Sequence, residues 1–179
     1  MRLEDVVVRT KQVNPTRTPD CHFKYVDVLS INRESLRIAS YEGYRGEDAP
    51  SRARKQIRAG DVIFATVRPN LKRVALVPET LDGEICSTAF CTIRANPDSA
   101  YFDFPYFVVS SDEFVKQVSE HQRGSSYPAV ADTDVLNELI PLPALPIQRT
   151  IADALLSIDQ KIETQVNRKQ PLSSCSKRF

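Results

Sequence analysis

No run of apolar residues in this chain approaches the roughly 18 that a membrane span requires. The amino terminus, MRLEDVVVRTK, offers three consecutive valines where a signal peptide would place a longer apolar core. Four cysteines are present, and none forms a C-x-x-C pair. That usage argues against a zinc ribbon or a disulfide framework and predicts a reduced, cytoplasmic chain with half-buried thiols. Cys86 and Cys91 stand five apart in a strand-like run, so they are expected on opposite faces. There are two histidines and no cluster of metal-ligand spacing.

Catalytic signatures are missing too. There is no G-x-x-x-x-G-K-[ST] phosphate loop and no G-x-S-x-G nucleophile elbow. His121 precedes Ser125 by four residues, but no third group is evident to orient its imidazole. Pro97-Asp98 and Asp159-x-Lys161 imitate pieces of a nuclease site. Metal-assisted phosphodiester cleavage needs carboxylates converging on one cation, whereas Asp159 and Lys161 fall in a helical pattern. The expectation is a protein with no catalytic residue, no metal and no cofactor of its own.

What is present is a patterned chain of 179 residues, enough for one domain with an appendage. HFKYVDVL (residues 22–29) alternates as a strand, and GDVIFATV (60–67) is a β-branched strand after a turn. RPNLKR is a short basic hairpin connection, after which VALVP resumes the sheet. EICSTAFCTI (84–93) reads as one long central strand. YEGYRGEDAPSRARK (41–55) reads as an exposed loop. Ser110 and Glu113 have capping-box spacing, and Phe107, Phe114 and Val118 form one stripe of a helix expected to end near Gly124. Tyr127-Pro128 then turns the chain toward a further strand, and ELIPLPALP (138–146) is a stiff, extended strap. In the helix that follows, Ile151, Leu155, Ile158 and Ile162 step by four, three and four, the spacing of a seam for another helix. Pro171 should stop it.

The chain carries a formal charge of +1, yet the charge is polarised. Between Ser51 and Arg73 stand Arg52, Arg54, Lys55, Arg58, Arg68, Lys72 and Arg73 against a single acid, Asp61, a net +6. A basic band on loops around a strand suits phosphate contact and counterion release, although nearby acids such as Glu47, Asp48 and Glu79 could neutralise part of it. Asn70 and the arginines are also residue types that read adenine and guanine. Arg123, Ser125, Ser126 and Tyr127 in RGSSYPAV could hold a phosphate, or simply turn the chain.

Three stretches in order, APSRARKQIRAGDVIFATVRPNLKRVALVP (49–78), ICSTAFCTIR (85–94) and GSSYPAV…IPLPALPIQRTIADALLSIDQKIE (124–163), resemble the specificity subunit of type I restriction–modification systems. The resemblance implies an α+β target-recognition domain, with a mixed or antiparallel twisted sheet and flanking helices, over residues 1–143. A conserved helix over 144–170 would serve dimerisation or methyltransferase docking, and 171–179 would be a tail. Full-length members carry two such domains and two helices, so a chain with one of each corresponds to a half-subunit or a fragment, the half-length forms pairing as homodimers on a palindromic split site. The implied partners are double-stranded DNA, a methyltransferase subunit and, through the complex, a restriction subunit; S-adenosylmethionine and ATP would be used by those partners. The usual PLPPL-x-EQ motif is here PLPALPIQ, with Ala144 and Ile147 departing and Gln148 kept. The DNA contacts expected are Arg52, Arg54 and Lys55 on one loop, Arg68, Asn70, Lys72 and Arg73 on a second, and Arg123, Ser125, Ser126 and Tyr127 on a third. A rival from another class is a truncated interaction module that binds methyltransferase without reading DNA.

Overall fold

The computed structural model describes residues 1–169, so Pro171 and the tail lie outside the described residues. The strands in chain order are β1 (Val7–Val8), β2 (His22–Val26), β3 (Ile31–Asn32), β4 (Arg37–Ile38), β5 (Glu42–Arg45), β6 (Ala53–Gln56), β7 (Val62–Ala65), β8 (Val74–Leu76), β9 (Ile85–Ser87) and β10 (Phe90–Ala95). The helices are α1 (Phe104–Val109), α2 (Asp112–Glu120), α3 (Asp132–Leu136) and α4 (Leu145–Lys169).

The fold is α+β, as the sequence predicts. One antiparallel sheet has the order β1-β10-β7-β8, and a second, mixed sheet has the order β5-β2-β9-β6 with β2 and β9 parallel. A small β3–β4 hairpin stands apart. Strand β7 shows why the layers stack. Its side chains alternate, and both sets are buried. Val62 and Phe64 join α1 and α2 in one core, where the Phe64 and Phe114 rings meet edge to face at 5.8 Å. Ile63 and Ala65 join Val26 and Cys86 of the second sheet in another core. Each large apolar side chain so buried contributes about 1.5–3 kcal/mol. Cys86 and Cys91 fall in these two different cores because they stand on separate strands, β9 and β10, of different sheets, and not on opposite faces of one strand. Burial pushes the Cys86 thiol up to about 12 and raises Cys91 as well, so neither is a ready thiolate.

Several expectations are corrected. Residues 41–55 are not one exposed loop, because β5 pairs with β2 and β6 pairs with β9. Edge strand β5 exposes most of its side chains and contains Gly43, so it shows no alternation. In β6 the inward positions are Ala53 and Lys55, and the lysine charge disguises the buried face. The long strand at 84–93 is two strands in different sheets, broken at Thr88–Ala89 with no glycine or proline to signal it. Strand β2 ends at Val26, where Asp27 caps a 3-10 turn. The cap of α2 is Ser111, which accepts from the Phe114 amide at 3.2 Å, while the Ser110 hydroxyl turns back to the Phe107 carbonyl. Helix α2 stops at Glu120, four residues before Gly124, which takes a left-handed turn with φ +92°. After Pro128, Ala129 makes bridges to Val67 and Arg123, and α3 follows in place of a strand.

Two buried ions tie the elements together, Lys55 between the sheets and Asp61 within the first one. Lys55 donates to the Phe90 carbonyl at 2.6 Å and to the Asp132 carboxylate, tying β6 to β10 and α3. Asp61, 1% exposed, takes a bidentate bond from Arg94 at 2.7 and 2.8 Å and a third from the Arg58 amide.

Helix α4 begins at Leu145, with Pro146 in the first turn where its missing N–H costs nothing. Gln148 is buried and roots the helix. Its carbonyl accepts from the Tyr101 amide at 3.0 Å, and its amide donates to the Pro143 carbonyl at 2.8 Å and the Ser99 carbonyl at 3.2 Å. Ala152 is buried and Leu156 and Asp159 are half-buried on the same flank. The seam residues Ile151, Leu155, Ile158 and Ile162 lie on the neighbouring face, roughly a quarter turn round the helix, and are 36–54% exposed. The stripe is therefore not covered by its own domain.

Two outcomes are expected. Arg94→Ala leaves the Asp61 carboxylate buried without its cation and should lower unfolding free energy in urea by about 3–5 kcal/mol. Asp103 lies buried near the root of α4; burial first, then the Asp153 carboxylate, raises it from 3.8 to about 6. The folded protein thus binds a proton more tightly than the unfolded chain, and stability falls as pH rises between those values. Asp103→Asn should raise the melting temperature above pH 6 and flatten that dependence.

Candidate nucleic-acid interface

The strand directions gather the candidate residues. β9 runs into the turn at 88–89, and β10 leaves it. Because β2 is parallel to β9, and β7 antiparallel to β10, all three strands end on this side. Strands β5, β6 and β8 start there by their antiparallel pairings. The segments 27–30, 50–52, 66–73 and 88–89 therefore emerge together. The 122–129 loop is fastened among them by the Arg68 amide, which donates to the Pro128 carbonyl at 2.8 Å, and by the Val67–Ala129 bridge.

The connection between β7 and β8 is a 3-10 turn, Pro69–Leu71, flanked by Arg68 at φ 50° and Lys72 at φ 52°. Left-handed backbone at two non-glycine residues costs on the order of 1–3 kcal/mol each and persists where the surroundings impose it. Here the Ala65 amide donates to the Arg73 carbonyl and the Lys72 amide to the Pro69 carbonyl. The result is a rigid, outward-facing turn. Arg68 and Asn70 are exposed on it. The Arg68 guanidinium lies 5.2 Å from the Tyr127 ring centroid and donates to the Ser126 carbonyl at 3.2 Å. Asn70 accepts from Gln122 at 3.4 Å. Lys72 pairs at 2.6 Å with Asp112, which is 92% exposed in the first turn of α2. That hydrogen bond and charge hold the Asp112 carboxyl below its ordinary value.

The remaining expected contacts divide. Arg52 is exposed, with its carbonyl bound by the Thr88 amide. Ser125, Ser126 and Tyr127 are exposed, Tyr127 by 75%. Arg123 forms a forked pair with Asp134 at 3.1 and 3.2 Å. The Ala131 amide, and then Arg123, keep that carboxyl low. Arg54 donates to the Pro50 and Ala53 carbonyls, and Arg73 to the Val28 and Ile31 carbonyls at 2.8 and 3.2 Å. Those two arginines brace turns. Lys55, expected on an exposed loop, is instead a buried residue of β6 paired with Asp132.

The structure also places Arg33 and Gln122 here, which the sequence reading missed. Arg33, from the β3–β4 hairpin, donates to the Leu71 carbonyl at 3.2 Å. With Asn32, Asn70 and Lys72 it lines an open groove. The only local signal was an arginine in a turn-forming NRES segment, and nothing in it shows which turn lies opposite. A further correction concerns His121, which does face a carboxylate, Glu138, at 2.7 Å. Among the described residues no hydrogen bond joins it to Ser125, so no triad forms. Nor is any group of three His, Cys, Asp or Glu among the described residues placed to hold a metal ion, and no helix there is long and apolar enough to cross a membrane.

Known proteins share this fold. Residues 35–172 match the family model described as the type I restriction modification DNA specificity domain. The type I restriction enzyme HindI specificity subunit of Haemophilus influenzae is 29% identical over 152 residues, covering 80% of this chain and 33% of that protein. The MjaVIII specificity subunit of Methanocaldococcus jannaschii is 24% identical over 126 residues, 69% of this chain and 30% of that one. Among solved structures, the HsdS subunit from Thermoanaerobacter tengcongensis superposes with a TM-score of 0.84 at 47% identity, across 94% of this chain and 43% of that one. A chain from a structure of type I R-M complex assembly and conformational transition gives 0.84 at 40% identity, across 99% and 50% respectively. The chain thus spans about a third of the curated relatives it matches and at most half of these solved chains. With the family model covering most of its length, and the same fold at 40–47% identity, the chain belongs to the type I restriction–modification DNA specificity family.

Proposed function

We propose that this chain is a non-catalytic subunit that reads one half of a split DNA target and brings adenine methyltransferase and restriction subunits to it. One observation carries the reading: loops from both sheets leave at a single end, where Arg33, Arg52, Arg68, Asn70 and Lys72 lie beside the 122–129 loop. Exposed arginine, lysine and serine donors suit phosphates, and Arg68 and Asn70 on their rigid turn suit base edges. In this reading residues 1–143 form the recognition domain, and the helix after it serves protein partners. The outward seam of Ile151, Leu155, Ile158 and Ile162 supports that division, since an apolar stripe on a rooted helix is made for another helix. A second copy or the methyltransferase subunit would cover it. S-adenosylmethionine and ATP belong to the partner subunits.

Binding of duplex DNA should weaken with salt at a log–log slope of about −0.9 per phosphate contact. Lys72→Ala is expected to weaken all sequences alike and to flatten that slope by about one unit. Absence of duplex binding at low salt, with and without methyltransferase, would leave only the protein-interaction reading. For the helix, Ile158→Lys should move the assembly toward smaller species in sedimentation, while DNA contacts by the globular body persist. Methylome sequencing of cells expressing the chain with its methyltransferase should reveal a split, adenine-methylated motif.

A further inference from the structure

We propose that Tyr127 is the positioning residue of a preset guanine reader, with Arg68 as the fork that meets the base. This inference rests on the DNA-recognition reading above and names one base pair of the target.

The backbone comes first. Arg68 precedes Pro69, whose ring crowds the α-type conformations of the residue before it, and still adopts φ 50°. The strain is imposed from the second loop, because the Arg68 amide donates to the Pro128 carbonyl and Val67 bridges Ala129. The same loop then handles the side chain. The Ser126 carbonyl takes one proton of Nη2 at 3.2 Å, and the Tyr127 ring lies 5.2 Å from Cζ. Backbone and guanidinium are thus both fixed by residues 126–129, almost sixty positions away in sequence.

Tyr127 has little other occupation. It is 75% exposed, and its hydroxyl makes no hydrogen bond among the described residues. A ring packed against the guanidinium restrains its plane while leaving its edge donors free, and Nε and Nη1 make no hydrogen bond among the described residues. A guanine edge presents two acceptors, O6 and N7, which a planar fork meets together. A phosphate can also take a bidentate fork, but mobile exposed lysines and arginines meet it as well, whereas two acceptors fixed on one base edge reward a guanidinium whose plane is set in advance. Immobilising Arg68 before the DNA arrives lowers the side-chain entropy lost in the complex, and the salt titration below separates base from phosphate.

The test is selection from a randomised duplex pool, with a salt titration of the selected site. It uses the full chain, co-expressed with its methyltransferase subunit, as wild type, Arg68→Ala, Tyr127→Phe and Tyr127→Ala. The wild type should select a G·C pair at one fixed position, and Arg68→Ala should lose that preference. Tyr127→Phe should keep it, because the ring suffices. Tyr127→Ala should weaken it about 2- to 5-fold at that position alone, with the salt slope unchanged. The proposal is overturned if Tyr127→Ala leaves the preference intact, or if it weakens all sequences alike with a slope shallower by about one unit. It is also overturned if Tyr127→Phe behaves like Tyr127→Ala, which would make the hydroxyl the contact. A wild type that binds no duplex overturns the recognition reading itself.

Discussion

The corner at residues 87–90, where the chain passes from one sheet to the other, is the constraint on which the rest of the molecule depends. Its backbone is satisfied from four directions. The Ala89 amide donates to the Ser87 hydroxyl at 3.2 Å, and the Thr88 amide to the Arg52 carbonyl at 2.9 Å. The Ala89 carbonyl accepts from both the amide and the hydroxyl of Thr66, at 2.8 and 3.0 Å. The Phe90 carbonyl takes the buried Lys55 ammonium. Buried polar groups that lose such partners carry their full desolvation cost, so this network locks the angle between the sheets. With that angle set, Arg52 from the second sheet and Arg68 from the first share one end of the molecule. The interface is a consequence of the corner.

That same network explains why charge in the sequence overstates the surface available to DNA. The basic band from Ser51 to Arg73 has a net charge of +6 on paper. Folding divides it. Lys55 goes to the interior, Arg54 and Arg73 brace turns, and Arg58 pairs with Asp82 at 3.2 Å near the opposite end of β7. Arg52, Arg68 and Lys72 are left at the end where the loops gather, and Lys72 already has an acidic neighbour. A lysine kept charged in the interior is stabilised by a carboxylate partner, and Asp132 lies 77 residues further along. No local pattern carries that information.

Elements whose signal is local were legible for the same reason. β7 and β8 follow from β-branched runs and the turn between them, and α2 from Phe114 and Val118 of its apolar stripe, with an error of one residue at the serine cap and of four at its end, while Phe107 belongs to the separate helix α1. The family was legible because its ordered stretches record many long-range constraints at once. What escaped depends on pairing across the chain: the edge strand β5, the inward lysine of β6 and the break at Thr88–Ala89. The candidate interface was half legible. Residue type pointed to Arg68, Asn70, Lys72 and Tyr127, whereas Arg33 and Gln122 join them only through contacts of 38 and 52 residues' separation.

Helix α4 brings these threads to a mechanical requirement. In a domain that reads half of a split target, the distance between half-sites is set by whatever joins the domains, so play at the root of that joint would blur the spacing. Twenty-five residues of helix extend about 37 Å, and a small tilt at its base becomes a displacement of several ångströms at its end. Gln148 removes that freedom by binding three backbone groups from two segments, the Tyr101 amide and the Ser99 and Pro143 carbonyls. A glutamine can do this because it both donates and accepts; a glutamate has no amide protons to offer, and a leucine would take the Gln148 partner away from three half-buried backbone groups. Tyr101 adds a bond from its hydroxyl to Asp153, one and a half turns further along. The flank that carries these anchors adjoins the face of Ile151, Leu155, Ile158 and Ile162, so the helix is held by its polar root while the apolar seam beside it stays exposed.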